Sequence, residues 1–143
     1  MIKTAYRIYS IEVEEGHIKF SNGIVFNSIT TSKHLKGCKR CAVIAATLGP
    51  EVDMQIRAAQ TLDLAAALEL DKAANIKIER VMDELQQSLP GKKIRRYSPG
   101  FGDLGLEVQK DMLTLAGVKG FISVSGSFML EPQKSVTALV GLY

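Results

Sequence analysis

The segment from residue 95 to residue 103 has the residue types of a ligand-binding loop. It runs Arg-Arg-Tyr-Ser-Pro-Gly-Phe-Gly-Asp, and we call it the 95–103 loop. Pro99, Gly100 and Gly102 predict turns in which the backbone can approach a ligand closely. Arg96 enters this region with a planar guanidinium that can hold a carboxylate through two parallel hydrogen bonds. The same pattern is also typical of an ordinary helix entry with a surface arginine, so the loop alone leaves both interpretations open.

A row of polar side chains recurs every four residues further upstream. Asp71, Asn75, Glu79 and Asp83 have this spacing and would share one face of a helix. Such a row is typical of a solvent-exposed face. Alternatively, Glu79 could meet a cationic group of a ligand beside the Arg96 loop.

Other signatures of catalysis or metal binding are weak. Cys38 and Cys41 form a C-x-x-C pair, but the two histidines, His17 and His34, match no zinc-finger spacing. Cys41 begins an apolar strand pattern, and strand geometry would place residues 38 and 41 on opposite faces. We therefore expect buried or half-buried free thiols. The sequence contains no nucleophile elbow, no P-loop and no H-E-x-x-H motif.

The elements that must position these residues follow two periodicities. Alternating patterns and short apolar runs predict strands; these cover residues 6–13, 17–20, 24–26, 40–46, 121–124 and 136–140. Apolar residues spaced by three and four predict helices; these cover residues 28–36, 50–89 and 106–116. This order predicts one α+β domain, in which a mixed or antiparallel sheet is covered by long helices.

The helical pattern of residues 50–89 is long for a single globular helix. Pro50 suits its first position, and an apolar stripe runs along its whole length. We expect either two helices with a kink or one helix bent around the sheet, with the stripe packed on the sheet. For the helix of residues 106–116 we expect Asp103 as the N-cap and Gly117 as the stop.

Composition and charge exclude several classes of protein. The chain has 143 residues, of which 46% are hydrophobic and 23% charged, and this composition fits one globular domain. A net charge of +3 and the lack of tryptophan do not favour nucleic-acid binding. No apolar run approaches the ~20 residues of a membrane span, and the first residues lack a signal-peptide pattern. We expect a cytoplasmic protein with no nucleic-acid or membrane partner.

Together, these segments resemble the activation domain of cobalamin-dependent methionine synthase, which binds S-adenosylmethionine and remethylates an oxidised cobalamin. Residues Arg96 to Phe101 resemble the family's R-x-x-x-G-Y loop, and residues Met129 to Val136 resemble its M-x-P-x-x-S-V segment. Ala46 to Gly49 lie where the family has a strand followed by a loop. The helix containing Glu79 lies where the family has an acidic helix residue. The match covers roughly residues 35 to 143. The β part in residues 1–34 is assigned to the same single domain, 1–143, although the match does not reach it.

The resemblance implies two cofactors, S-adenosylmethionine and a cobalamin carried by a partner protein. It implies that Arg96 holds the ligand's carboxylate, Glu79 neutralises its amino group and the Ser98–Gly100 backbone bonds its adenosyl part. Phe101 would pack at the corrin face and exclude water. The implied partner is a corrinoid protein, or a methionine synthase lacking its own activation domain. A flavodoxin-type electron donor is a further implied partner.

The sequence also departs from the family pattern. Phe101 stands where the family usually has tyrosine, so the ring is kept and the hydroxyl is lost. An acidic ligand that the family supplies near its N-terminus has no clear counterpart, nor do its cobalamin-, folate- and homocysteine-binding modules. We therefore expect a short, stand-alone component of a methyltransferase system that is not a complete enzyme by itself. The alternative is a non-catalytic module that docks on a corrinoid protein without binding S-adenosylmethionine.

Overall fold

A five-stranded antiparallel sheet forms the centre of the protein, whose computed structural model describes all 143 residues. The strands in chain order are β1 (Lys3–Glu14), β2 (His17–Phe20), β3 (Val25–Asn27), β4 (Arg40–Thr47), β5 (Ser123–Val124), β6 (Leu130–Glu131) and β7 (Ser135–Leu142). The sheet has the order β3-β2-β1-β4-β7, and every neighbouring pair is antiparallel. β5 and β6 pair only with each other. The predicted α+β fold is confirmed.

Four helices pack around this sheet. They are α1 (Ile29–His34), α2 (Pro50–Leu62), α3 (Leu64–Gln87) and α4 (Gln109–Ala116). The predicted stop of the last helix is confirmed, because Gly117 adopts the left-handed conformation, with φ of 74°, which glycine accommodates without strain. None of the four helices combines the length and apolar character that crossing a membrane requires.

The long helical region of residues 50–89 consists of two helices, as one of the two sequence alternatives predicts. The break lies at Asp63, which is extended with φ of −156°. Its backbone N–H still closes α2 by donating to the Ala59 carbonyl, at 2.8 Å. Its carboxylate accepts from the N–H groups of Ala65 and Ala66 and so caps α3. One residue therefore ends the first helix and starts the second.

The prediction that one apolar stripe packs along the whole 50–89 region is only partly correct. Ile56, Ala74 and Ile78 from that stripe are buried, but Leu62 is 87% exposed and Leu70 is 40% exposed. The break at Asp63 explains the difference, because a 3.6-residue period does not continue through an extended residue. The apolar side chains around the turn between α2 and α3 are left uncovered by the sheet.

The core has two parts, one on each face of the sheet. Ala42, Ile44 and Ala46 of β4 join a cluster with α3, while Val43 and Ala45 join a cluster with α4. This alternation is the two-residue period of a strand that is buried on both faces. Each large side chain buried this way contributes roughly 1.5–3 kcal/mol of transfer free energy. The buried, paired strands β4 and β7 are therefore the support on which the loops lie.

The start of the 95–103 loop and the residue before it pair with the free edge of β7. The N–H of Ile94 donates to the Gly141 carbonyl at 3.1 Å. Tyr97 and Leu139 exchange two backbone hydrogen bonds, of 2.9 and 2.8 Å. The loop therefore starts from a fixed position beside the sheet.

Candidate functional site

Arg96 connects the 95–103 loop to α3. Its Nη1 donates to Asp83 Oδ1 at 2.7 Å and to Gln86 Oε1 at 2.9 Å, and its Nη2 donates to Glu79 Oε2 at 3.0 Å. The Arg96 side chain is 19% exposed, whereas the side chains of Glu79 and Asp83 are each 60% exposed. We call these four residues the Arg96 cluster. The structure brings the two predicted site residues, Arg96 and Glu79, together as a direct ion pair.

The polar row on α3 also contacts a second loop. Lys134 donates to Asn75 Oδ1 and pairs with Asp71 Oδ1, each at 2.7 Å. The row therefore binds one cation from each of two loops and is more than a solvated face. Sequence reasoning missed Gln86 and Lys134. Gln86 continues the helical spacing of the row, and Lys134 lies inside the segment that resembles M-x-P-x-x-S-V, so both carried a signal.

A groove of about 330 Å³ opens beside the Arg96 cluster, and we call it the Arg96 groove. Besides the cluster it is lined by Arg95, Ser98, Phe101 and Val136. Its volume lies at the lower end of the ~300–1,000 Å³ of small-molecule sites. The Phe101 ring is 53% exposed. The groove thus offers a guanidinium, carboxylates, a hydroxyl and an aromatic face to one ligand.

Two backbone groups of the turn that carries Ser98, Pro99 and Gly100 are already hydrogen-bonded within the loop. The Gly100 N–H donates to the Leu104 carbonyl at 2.7 Å, and the Ser98 carbonyl accepts from the Phe101 N–H at 3.1 Å. Pro99 is buried, whereas the Ser98 side chain lines the groove. In this conformation, these two backbone groups hold the turn in shape.

Asp103 fixes the far end of the loop, and it does so on a helix other than the predicted one. Its carboxylate accepts hydrogen bonds from the hydroxyls of Ser28 and Thr30 and from the N–H groups of Ile29 and Thr30. We call these residues the Asp103 cluster. The prediction that Asp103 caps the helix of residues 106–116 is wrong, because the carboxylate reaches the start of α1 instead. These hydrogen bonds hold the pKa of Asp103 well below its usual range, and the bond from the Ser28 hydroxyl has the largest effect.

Tyr97 joins the two ends of the loop from beneath. Its hydroxyl lies 2.5 Å from Thr30 Oγ1 and donates to the Phe101 carbonyl at 3.1 Å. Its ring packs against His34, with centroids 4.8 Å apart, and meets the Phe101 ring edge-on at 5.8 Å. Tyr97 is buried, so the exposed Phe101 ring rests on a fixed one. No local signal in the sequence marks Tyr97 as part of the site.

Gly102 is required for this arrangement. Its φ of 52° is left-handed, and a Cβ there would collide with Thr30 Oγ1 and the Tyr97 hydroxyl. A side chain would therefore separate the loop from α1. The sequence predicts a turn at Gly102 that lets the backbone approach a ligand. In the structure, this turn lets the loop pack closely against α1.

The segment from Met129 to Val136 lies along neighbouring grooves. Met129 and Lys134 line one of about 670 Å³, which also includes Phe128. Pro132 and Gln133 line another, of about 790 Å³, at the start of α2. Gln133 is held there by its N–H, which donates to Asp53 Oδ2 at 2.8 Å. Val136, at the end of this segment, lines the Arg96 groove, so both segments that carry the family resemblance contribute to that groove.

Comparison with known proteins finds similarity at the level of structure. No protein-family model and no curated protein matches the sequence. The fold is similar to a crystal structure of the MetH reactivation domain bound to AdoHcy, with a TM-score of 0.65 and 13% sequence identity. The alignment covers 98% of this chain and 58% of that one. The similarity at this identity is one of fold, and the predicted activation-domain fold is confirmed.

Proposed function

We propose that this protein binds S-adenosylmethionine in the Arg96 groove and acts as an activation domain for a cobalamin-dependent methyltransferase. The observation that carries the proposal is one groove with a guanidinium, a carboxylate and an exposed ring, on a fold shared with a domain bound to AdoHcy. AdoHcy is S-adenosylmethionine without the transferable methyl group. The two molecules therefore make nearly the same demands on a binding site.

The charges of the Arg96 groove suit a zwitterionic ligand. A guanidinium has five N–H donors, and three of those of Arg96 are used by α3. The other two can receive the ligand's carboxylate, as in the charge-assisted pairs that arginine makes elsewhere. Glu79, which is largely exposed, is placed to neutralise the ligand's ammonium group. The Ser98 side chain borders the space left for the adenosyl part.

The reaction needs little acid–base chemistry from the protein. The sulfonium of S-adenosylmethionine would release its methyl group and leave as the neutral thioether AdoHcy, and the reduced cobalamin of the partner would supply the nucleophile that takes the methyl group. This chain would hold the ligand with its methyl group directed outward, and the Phe101 ring would exclude water from the reacting atoms. The partner is then a corrinoid protein, or a methionine synthase that lacks its own activation domain.

One observation favours a second candidate function. Three of the five N–H donors of Arg96 are already taken by α3 residues, while Phe101 is exposed and available for contact with another protein. In the alternative, the domain docks on a corrinoid protein and stabilises one of its conformations without binding S-adenosylmethionine.

Titration calorimetry separates the two candidates. We expect saturable binding of both S-adenosylmethionine and AdoHcy to the protein alone. The matched measurement titrates the same protein with a cobalamin-loaded methionine synthase that lacks its activation domain. No binding of either small molecule at millimolar concentration, together with binding of the corrinoid protein, would establish the alternative.

A further inference from the structure

The groove of about 670 Å³ that Met129 and Lys134 line contains a buried amide, and we call it the Gln109 groove. It shares no lining residue with the Arg96 groove. Gln109 is 7% exposed, and its Oε1 accepts from the Thr137 hydroxyl at 2.6 Å. That distance fits an O–H donor and is short for an N–H donor. The oxygen of the amide is therefore engaged, and its nitrogen points the other way.

The Gln109 amide nitrogen donates to no group of the protein. Asp53 Oδ1 is the one buried side-chain atom that is both unpartnered and sealed from solvent. The unpartnered Gln109 Nε2 is therefore open to the groove that this residue lines. Buried amides nearly always have hydrogen-bond partners, because an unpaired donor has lost its bonds to water. Two N–H donors on the buried side of a groove favour a ligand that carries an acceptor, such as a carbonyl oxygen.

Phe128 presents an aromatic face to the same groove. Its φ of 64° is left-handed, and this conformation is an outlier for a bulky residue. The ring is nevertheless 47% exposed, and Leu106 and Met129 beside it in the groove lining are also exposed. A strained residue whose ring is left half-open to a groove points to a ligand that uses the ring.

The charged groups of the Gln109 groove favour a neutral ligand with hydroxyl groups. Glu131 and Lys134 are its two charged lining residues. Lys134 is already paired with Asp71, whereas Glu131 is exposed and forms no ion pair. A free carboxylate repels phosphate groups but accepts hydrogen bonds from the hydroxyls of a ribose.

We propose that the Gln109 groove binds a neutral nucleoside whose base carries a carbonyl oxygen. The Gln109 amide donates to that carbonyl, the base stacks on the Phe128 ring, and Glu131 accepts from the ribose hydroxyls. A volume of about 670 Å³ lies within the ~300–1,000 Å³ of small-molecule sites. Because the two grooves have no residue in common, the inference does not rest on the proposed function of the Arg96 groove.

The amide contact is tested by titration calorimetry with inosine and with purine riboside, which lacks only the carbonyl group of the base. We expect the parent to bind inosine about five-fold more tightly, the equivalent of one hydrogen bond. Gln109→Met keeps the length of the side chain without its donors and should abolish this difference between the ligands. Equal affinities of the parent for the two nucleosides, or no binding of inosine at millimolar concentration, would overturn the proposal.

The ring contact is tested by Phe128→Gly, a variant that keeps the inference testable even if Gln109→Met does not fold. Glycine adopts a positive φ without strain, so the Tm of Phe128→Gly should equal or exceed that of the parent. Its affinity for inosine should fall roughly ten-fold, because the base loses its stacking partner. Phe101→Ala removes another exposed ring, outside the Gln109 groove, and should leave inosine binding unchanged. Equal effects of the two substitutions on inosine binding would place the nucleoside elsewhere and refute the assignment.

Discussion

The two ends of the 95–103 loop hold charged side chains in opposite ways. At one end, the Asp103 carboxylate receives hydrogen bonds from the hydroxyls and N–H groups at the start of α1. At the other end, Arg96 is paired with acids that are largely exposed, beside a groove. The first cluster is completed by the chain itself. The second keeps unused donors next to open space, which is the arrangement that a ligand can use.

This difference assigns different tasks to the two clusters. Asp103 is itself exposed, but its carboxylate accepts four hydrogen bonds from the start of α1, and such a connected network is worth more than its separate pairs. An exposed ion pair contributes only about 0–1 kcal/mol and can open readily. We therefore expect the Asp103 cluster to fix the loop and the Arg96 cluster to exchange partners.

The largest expected effect is that of Arg96→Ala on ligand binding. Loss of the guanidinium should weaken S-adenosylmethionine binding by about 2–5 kcal/mol, the usual cost of breaking a hydrogen-bonded charge pair in a site. Calorimetry on Arg95→Ala is the control, because Arg95 is exposed and makes no ion pair with α3. Equal effects of the two substitutions, or none, would mean that Arg96 only ties the loop to α3.

A second effect concerns the Phe101 ring. Phe101→Ala should slow single-turnover methylation of a reduced partner corrinoid by roughly ten-fold or more, because ring area and water exclusion are both lost. Phe101→Tyr should be nearly neutral if only the ring matters. A clear gain of rate with tyrosine would instead mark this chain as a weakened relative of the family. If Phe101→Ala matches the parent, the ring lies outside the reacting site.

A third prediction contrasts the Asp103 cluster with the groove through pH. Asp103→Ala should lower the Tm at pH 7, while its effect on ligand affinity is smaller than that of Arg96→Ala. Because its folded-state pKa is depressed below the ordinary value of 3.8, the Asp103 carboxylate stabilises the fold above about pH 4. That contribution is lost as the pH falls further.

The Tm difference between parent and variant should therefore narrow in acid. Asp111→Ala, which removes an exposed acid without such donors, is the control. A difference that stays constant from pH 7 to pH 3 would show that the Asp103 charge does not hold the loop.

The sequence was sufficient to predict the elements but not the contacts between distant ones. The apolar run in residues 40–46 and the Gly117 stop are local signals, and the structure confirms both, with β4 at Arg40–Thr47. The partner of Asp103 lies about seventy residues away along the chain, and no local pattern could show that α1 is nearer than the helix that follows. Local propensity therefore suggested the wrong cap.

The candidate site likewise has a part that the sequence predicts and a part that it does not. The four-residue spacing of Glu79 and Asp83 predicts that they share a face, and the structure bears this out through Arg96. That Arg96 pairs with both acids at once depends on the edge of β7, which carries the loop to α3. Ion pairs between distant segments depend on tertiary placement, which residue types and spacing alone do not determine.

The smallest expected effect is that of Tyr97→Phe, which tests whether the two ends of the loop are linked. The hydroxyl bridges Thr30 Oγ1 and the Phe101 carbonyl, while the ring packing against His34 would be retained. Loss of the bridge should lower the free energy of unfolding by about 0.5–1.5 kcal/mol, as for a typical internal hydrogen bond. Chemical denaturation gives this value, and Tyr143→Phe, at an exposed position, is the control.

The double variant Tyr97→Phe with Asp103→Ala measures the coupling directly. Because both side chains bond Thr30, their effects on stability should be non-additive, as is usual for residues of one network. Ligand affinity should change little in Tyr97→Phe, since Arg96 keeps its contacts with α3. Strictly additive stabilities would mean that Tyr97 and Asp103 act separately, and that the loop is fixed at its Asp103 end without help from the ring beneath Phe101.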